Sequence, residues 1–278
     1  MSESLLEVDN LRVTYDTPKG SVQAVRGVSF SMTRERLALV GESGSGKSQT
    51  GRAILRLITP PGRIEADRLI FAGHDLLTLS ERQMRTVRGR RISMVLQDPR
   101  YSLNPVMRIG PQILEACRHS RSIGRSAGRA KVLEMLSAVR IHDPERVYRA
   151  YPHQVSGGMG QRIMIAMMLI GEPDLLIADE PTSALDVTVQ QQVLEILDDL
   201  VARRGMGLLF ISHDLNLVRA FCDRVLVMYG GRIVEEIAAA NLNQARHPYT
   251  QGLLRCLPKL NAGQEPLPVL NRDPAWLI

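Results

Sequence analysis

A glycine-rich loop constrains the fold of this chain more than any other feature. The loop, GESGSGKS at residues 41–48, directly follows the apolar run RLALV at residues 36–40. Apolar residues at helical spacing follow the loop over residues 49–58, before Pro60-Pro61-Gly62. The loop matches the pattern GxxxxGK[ST] completely, and a strand that leads through such a loop into a helix is the context that binds phosphate. We therefore predict a phosphate-binding loop in an α/β fold.

The residue types of the loop fit a nucleoside triphosphate. Glycines let the backbone curl so that successive N–H groups point at phosphate oxygens, and the helix N-terminus adds partial positive charge. Lys47 can reach the β- and γ-phosphates, and the Ser48 hydroxyl can bind Mg²⁺. A glycine-rich turn without a ligand is the alternative. The predicted nucleotide-binding residues here are Gly41, Ser43, Gly44, Ser45, Gly46, Lys47, Ser48 and Gln49.

Two adjacent carboxylates follow a second apolar run. In LLIADE, residues 175–180, the run ends at Asp179 and Glu180. Adjacent carboxylates repel each other unless a cation or a substrate uses them. We predict that Asp179 binds Mg²⁺ and that Glu180 polarises the attacking water as a general base. The alternative is that the two acids cap a turn at Pro181.

Apolar runs recur along the chain and alternate with helical patterns. The runs at 174–178, 207–211 and 224–228 are predicted to form strands, and a long helix is predicted at about 187–203. This alternation predicts a mainly parallel sheet that helices cover on both faces.

Other segments show different patterns. Shorter strands are predicted at 5–13 and 22–31, with a β-hairpin within 64–79 and a further buried strand at 91–96. From about 103 to 151 the strand pattern disappears, and helical spacing appears at 109–117 and 131–139 around a basic stretch, which predicts an inserted helical subdomain.

Composition limits the other function classes. The net charge of +6 favours contact with anions, although solvated arginines on helix surfaces would give the same value. The three cysteines lie far apart and show no CxxC spacing, so neither a disulfide framework nor a zinc site is expected, and a reducing compartment fits best. The N-terminus shows no signal-peptide pattern, and no apolar run is long enough to span a bilayer.

Several further motifs occur in an order that resembles the nucleotide-binding subunits of ATP-binding-cassette transporters. VSGGMGQR at 155–162 resembles the signature motif of this family, and the resemblance implies that its Ser156, Gly157 and Gly158 present backbone N–H groups to ATP on another subunit. SALD at 183–186 resembles the D-loop, with Asp186 facing the dimer partner.

Three single residues complete the resemblance. Gln97 in VLQDP resembles the Q-loop glutamine, which contacts Mg²⁺ and the attacking water. His213 in LLFISHD resembles the switch histidine at the γ-phosphate, and Tyr15 lies where the family places an aromatic ring on adenine. The catalytic residues implied are thus Glu180, His213 and Gln97, with Mg²⁺ held by Ser48, Gln97 and Asp179. The signature departs from the usual pattern at Gly160, where a longer residue is common and where glycine weakens the helix start.

The resemblance covers most of the chain and implies its architecture. It implies a P-loop NTPase fold of the α/β class, with an antiparallel β subdomain and a helical subdomain at about 103–160. The ATPase domain would span 5–260, and a short extension typical of oligopeptide transporters would span 240–278.

The resemblance also implies partners and a location. The chain would bind ATP and Mg²⁺, pair with a second ATPase subunit as a homo- or heterodimer, and contact two transmembrane permease subunits. An extracytoplasmic solute-binding protein would act indirectly, and nucleic acid is not expected as a partner. The subunit would lie peripherally on the cytoplasmic face of the inner membrane.

Local strings resemble the peptide and nickel importer subfamily. They are GESGSGKSQT at 41–50, QDPRYSLNP at 97–105, the segment at 164–190 and HPYTQGLL at 247–254. This implies import of dipeptides, oligopeptides, nickel chelates or related solutes. Some members carry a C-terminal cysteine cluster that binds an iron–sulfur centre, but only Cys256 lies in that region here, so no cluster is expected.

Two other hypotheses about the function remain open at this point. A soluble ATPase of the same superfamily that acts on nucleic acid or ribosomes would suit the basic charge, but the long coiled coils or the second cassette of those proteins are missing from the sequence. A P-loop kinase for a small molecule would share the loop, but not the SGGMGQR and LLIADE motifs.

Overall fold

The computed structural model describes residues 4–96, 102–120, 123–183, 185–257, 273 and 276. In chain order the strands are β1 (Leu6–Thr17), β2 (Gly20–Met32), β3 (Arg36–Val40), β4 (Gly62–Glu65), β5 (Arg68–Phe71), β6 (His74–Asp75), β7 (Ile92–Val95), β8 (Leu175–Asp179), β9 (Gly207–Ser212), β10 (Arg224–Tyr229) and β11 (Arg232–Ala238). The helices are α1 (Lys47–Ile54), α2 (Glu81–Val87), α3 (Ile109–Ser120), α4 (Arg125–Ala138), α5 (Pro144–Arg149), α6 (Gly157–Leu169), α7 (Val187–Arg204), α8 (Leu215–Phe221) and α9 (Pro248–Arg255).

The chain forms two compact units, and the predicted helical subdomain lies within the second. The first unit contains residues 1–78 and 209–278, and the second contains residues 79–208. Within the described residues, no helix is both long and apolar enough to cross a bilayer.

An antiparallel sheet forms part of the first unit. Its order is β2-β1-β5-β6, and β4 also pairs with β1. Leu6 and Val8 of β1 are buried, as are Leu11 and Val13 beyond an irregularity in its pairing with β2, as expected for a bulged strand with one face on a core. The predicted strands at 5–13 and 22–31 are confirmed. The predicted hairpin is confirmed only for β5 and β6, because β4 pairs with β1 instead of its chain neighbour.

The loop at residues 41–48 rests on a second set of strands in the first unit. Their order is β11-β10-β3-β9, and β10 runs parallel to β3. β3 is buried from Leu37 to Val40 and ends directly at the loop, as predicted. β11 runs antiparallel to β10 and was not predicted. The positive φ angles of Gly230 and Gly231 form the tight turn between them, and the Gly-Gly pair was the available signal.

Helix α1 follows the loop but is shorter than predicted. It begins at Lys47 and ends at Ile54, whereas helical spacing continues to residue 58. Arg56 adopts a left-handed conformation with φ of 52°, and that conformation ends the helix before the prolines. The loop therefore passes directly into a helix N-terminus, as its pattern predicts.

The second unit contains a parallel strand pair and most of the helices. β7 and β8 are parallel, with Ile92 opposite Leu175, and both strands are buried throughout. Helices α3, α4, α5 and α6 pack on one another. Nη2 of Arg129 on α4 and Oε2 of Glu145 on α5 form an ion pair at 2.5 Å. The helical spacing predicted at 109–117 and 131–139 corresponds to α3 and α4, although α4 begins at Arg125, inside the basic stretch that was interpreted as a connection.

Candidate functional site

The conformation of the loop at 41–48 requires glycine at two positions. Gly41 and Gly46 have φ angles of 149° and 103°, a region that other residues rarely adopt. A Cβ atom on Gly41 would collide with the carbonyl oxygen of Met228, and one on Gly46 would collide with that of Ala24. The backbone of the loop thus curls tightly against β10 and β2.

Lys47 lies at the centre of this curled loop. Its Nζ atom donates hydrogen bonds to the carbonyl oxygens of Gly41 and Glu42, both at 2.8 Å, and only 5% of its surface is exposed. The Thr50 hydroxyl donates to the Gly46 carbonyl oxygen at 3.1 Å and ties α1 to the loop. The ammonium group is therefore already held inside the curve of the backbone.

The loop fits a bound phosphate chain. An ammonium group enclosed by a backbone curve at a helix N-terminus concentrates positive charge and N–H donors in one place. The buried hydroxyl of Ser45 has no hydrogen-bond partner among the described residues, and such a group suits an oxygen-rich ligand. The structure therefore supports the loop as an ATP-binding element.

Two other candidate residues of the first unit lie side by side. The Tyr15 hydroxyl donates a hydrogen bond of 2.7 Å to Oε1 of Gln49, which links β1 to α1. Tyr15 is half-buried, so part of its ring is accessible. This arrangement brings the residue predicted to stack on adenine next to the helix that follows the loop.

His213 occupies an exposed position directly after β9. The residues on either side of it are fixed in place. The Ser212 hydroxyl accepts a hydrogen bond from the Asp214 N–H at 3.0 Å, and the Asp214 carboxylate caps α8 by accepting from the Asn216 and Leu217 N–H groups. A short, well-bonded turn therefore presents the imidazole.

The paired carboxylates lie where β8 ends in the second unit. Asp179 is the last residue of the strand and is 4% exposed, whereas Glu180 is half-buried. Glu180 has a φ angle of 47°, which costs a non-glycine residue about 1–2 kcal/mol. The N–H and hydroxyl groups of Ser183 donate to the Glu180 carbonyl oxygen at 3.3 and 3.2 Å and hold this conformation.

The signature residues begin α6 in the second unit. Ser156 is the N-cap, and its hydroxyl accepts from the Met159 N–H at 3.3 Å. The helix is continuous from Gly157 to Leu169, so Gly160 does not interrupt it. The N-terminus of α6 is therefore capped by the first residue of the predicted signature motif.

Asp186, the predicted D-loop residue, caps α7, and α7 packs closely against the start of α6. Asp186 caps α7 by accepting from the Val189 N–H at 3.0 Å. A Cβ atom on Gly158 would lie 2.7 Å from Cγ1 of Val189, so α6 and α7 approach too closely there for a larger residue. The structure thus brings Ser156, Gly158 and Asp186 into one local arrangement.

One residue of this arrangement was missed. Gln161, 1% exposed on α6, donates a side-chain hydrogen bond to the Pro181 carbonyl oxygen, next to Glu180. A glutamine four residues after Gly157, just before the apolar run at 163–170, was the available signal. Gln97 lies outside the described residues.

The comparisons with known proteins agree with this geometry. The family model described as "ABC transporter" matches residues 25–183. The oligopeptide transport ATP-binding protein OppD of Bacillus subtilis is 47% identical over 97% of this chain and 76% of its own length. The dipeptide transport ATP-binding protein DppD of the same organism is 46% identical over 98% of this chain and 82% of its own length.

Solved structures show the same fold. A dimeric post-hydrolysis state of the ATP-binding cassette MJ0796 with ADP and Pi aligns with a TM-score of 0.75 at 25% identity, over 84% of this chain and 98% of that one. This confirms the predicted P-loop NTPase fold of the α/β class. Because the family match includes the phosphate loop and the carboxylate pair, and the relatives align with nearly the whole chain, the chain belongs to the ABC transporter family as one of its ATP-hydrolysing subunits.

Proposed function

We propose that this chain hydrolyses ATP to drive the import of dipeptides or oligopeptides through a transporter in the cell membrane. The observation that carries the ATPase activity is the loop closed around Lys47, whose ammonium lies within 2.8 Å of two loop carbonyl oxygens. The names of the relatives, which are oligopeptide and dipeptide transport ATP-binding proteins, support the solute class. Nickel or another small solute is the alternative cargo.

The phosphate-binding roles follow from the residues of the loop. Lys47 and the loop N–H groups bind the β- and γ-phosphates, and Tyr15 stacks on the adenine. Ser48, Asp179 and Gln97 hold Mg²⁺, and their hydroxyl, carboxylate and amide oxygens are the ligand types that this ion prefers. Mg²⁺, when bound, offsets the negative charge of the phosphate oxygens.

The hydrolytic step uses the residues after β8 and β9. Glu180 accepts a proton from a water molecule whose oxygen attacks the γ-phosphorus, and the bond to the β-phosphate oxygen breaks to release ADP. His213 contacts the γ-phosphate and stabilises the charge that develops there. The strained backbone of Glu180 supports a role in orienting this carboxylate.

We further propose that each ATP lies between two subunits. The capped N-terminus of α6 offers N–H groups to a phosphate, as helix N-termini do. In the dimer this phosphate belongs to the nucleotide on the partner ATPase, and Asp186 faces that partner. The dimeric state of a solved relative supports this arrangement. The pair is a homo- or heterodimer.

The remaining partners and boundaries are proposed from the relatives and the motifs. Two transmembrane permease subunits bind the ATPase pair, and an extracytoplasmic solute-binding protein delivers the cargo. The chain lies peripherally on the cytoplasmic face of the inner membrane. Its ATPase domain spans 5–260, with the helical subdomain at about 103–160 and the extension at 240–278.

Purification of the tagged chain with its associated membrane proteins from the native host tests this proposal. The complex is placed in nanodiscs with the solute-binding protein, and phosphate release is followed. We expect di- or oligopeptides to stimulate phosphate release. Stimulation by nickel complexes and not by peptides would identify the alternative cargo, and transfer of phosphate to a soluble acceptor would contradict the proposal.

A further inference from the structure

The C-terminal helix α9 makes a direct hydrogen bond to the phosphate loop. The backbone N–H of Glu42 donates to the hydroxyl oxygen of Tyr249 at 2.9 Å. Tyr249 is 0% exposed, so water does not reach its side chain. None of the nucleotide-binding roles described above involves this tyrosine.

The same peptide group also bonds to Lys47. The Glu42 N–H and the Gly41 carbonyl belong to one peptide unit, and the Gly41 oxygen accepts from Nζ of Lys47 at 2.8 Å. Tyr249 therefore bonds to one side of this peptide unit and the ammonium bonds to the other. Linked hydrogen bonds polarise and orient one another in a buried environment. The orientation of the Gly41–Glu42 peptide thus depends on Tyr249 and determines where the Lys47 ammonium is held.

Several bonds fix the position of Tyr249 at the start of α9. His247 caps the helix, with Nδ1 accepting from the Tyr249 N–H at 3.2 Å, and Pro248 occupies the first turn, where its missing N–H is harmless. The Glu235 carboxylate on β11 accepts from the Arg246 N–H at 2.6 Å and from the His247 N–H at 3.3 Å. The backbone that carries the tyrosine is therefore tied to the sheet.

Aromatic packing fixes the direction of the ring. Tyr229, at the end of β10, lies with its ring centroid 4.4 Å from that of Tyr249. Trp276 packs against both rings, with centroid distances of 5.7 Å to Tyr229 and 5.9 Å to Tyr249. Because contact on two sides limits ring rotation, the hydroxyl oxygen stays directed at the loop.

We propose that Tyr249 is a positioning residue for ATP binding, which acts through the Gly41–Glu42 peptide on Lys47. The segment HPYT at 247–250 thereby makes the C-terminal extension part of the nucleotide site. This inference rests on the proposed ATPase function. Tyr249 does not itself touch the nucleotide in this account. Removal of its hydroxyl group therefore changes the affinity for ATP more than the rate at which bound ATP is hydrolysed.

Tyr249→Phe in the full-length chain tests the proposal, because it removes only the hydroxyl oxygen. We expect the KM for ATP and the Kd for ATP and ADP to rise roughly two- to tenfold, the range that corresponds to one hydrogen bond. The kcat at saturating ATP should stay within about twofold of wild type. Tyr229→Phe is the matched control, since it makes the same change on the neighbouring ring and leaves the bond to Glu42 intact.

The split between KM and kcat separates positioning from a merely structural role. A structural role would reduce the folded fraction, which lowers the apparent kcat and leaves KM unchanged. Unchanged Kd values for ATP and ADP in folded Tyr249→Phe would overturn the proposal.

A second variant and the wild-type protein complete the test. If Tyr249→Phe does not fold, Trp276→Ala should raise the KM in the same direction by a smaller factor, and an unchanged KM would overturn the proposal. Wild-type complex, purified from the native host, that binds ATP without hydrolysing it would contradict the proposed function instead, and the Kd for ADP would still test Tyr249.

Discussion

The side-chain amide of Gln161 donates a hydrogen bond to the backbone carbonyl of Pro181. Gln161 lies on α6, the helix that begins at the signature residues, and Pro181 directly follows Glu180. This bond connects α6, whose N-terminus is proposed to bind a phosphate of the partner's ATP, with the segment that carries the proposed general base. The position of Glu180 should therefore depend on Gln161.

Gln161→Leu should lower kcat by roughly tenfold with little change in the KM for ATP. The substitution leaves the Pro181 carbonyl without its donor in a buried position, at a cost of about 1–3 kcal/mol, and frees the segment around Glu180 to shift. Steady-state phosphate release measures the effect. Gln191→Leu, at an exposed position on α7, is the control. Equal kcat values for both variants would show that the bond has no part in catalysis.

Lys47→Ala should weaken ATP binding itself by at least about tenfold. The ammonium group supplies charge to the phosphates and also holds the Gly41 and Glu42 carbonyls, and bonds to charged groups contribute about 1.5–3 kcal/mol. Equilibrium titration with ATP measures the change. Lys19→Ala, which removes an exposed lysine of the same unit, should bind ATP as wild type does. If Lys47→Ala binds ATP with the wild-type affinity, Lys47 does not contribute to the ATP site.

Gly158→Ala should lower the midpoint of thermal unfolding, and Val189→Ala should partly restore it in the double variant. The added Cβ would meet Cγ1 of Val189 at 2.7 Å, whereas a Cβ on Gly157 would have no atom within 4 Å. Overpacking of this kind costs typically about 1–3 kcal/mol. Gly157→Ala is the control and should not be destabilised. Additive effects in the double variant would contradict the close approach of α6 and α7.

The cysteines should differ sharply in reactivity. Burial raises the pKa of the Cys222 thiol to about 12, with a smaller contribution in the same direction from Asp223, while Arg36 opposes the shift. Because the thiolate is the reactive form, Cys222 stays protonated and slow to alkylate between pH 7 and pH 9, which lies well below this pKa. The half-buried Cys256 should react first with iodoacetamide, as peptide mass mapping would show. Alkylation of Cys222 at the same rate in folded protein would contradict its burial.

Local patterns predicted the parts of the fold and site in which neighbouring residues determine the structure. β3, the loop and the start of α1 follow from an apolar run, spaced glycines and a helical pattern that lie next to one another in the chain. The carboxylate pair likewise follows from the apolar run of β8. In these segments the chemistry requires particular residues at fixed spacings.

Features that depend on distant residues were not predictable. Glu42 and Tyr249 are 207 positions apart, and only the fold brings them together. β4 was assigned to a hairpin with its neighbours because the sequence does not show that β1 offers it a better partner. The strain at Glu180 was equally hidden, since no residue pattern predicts a left-handed glutamate.

Glu180→Gln tests the central claim most directly, because it replaces the proposed base by an amide of the same shape. In the complex purified from the native host, we measure phosphate release, ATP retention and the association of the two ATPase subunits, with Glu115→Gln at an exposed position as the control. The account predicts that Glu180→Gln abolishes steady-state release while ATP stays bound and the subunits remain associated. Continued turnover at the wild-type rate would show that Glu180 is not the base and would contradict the account.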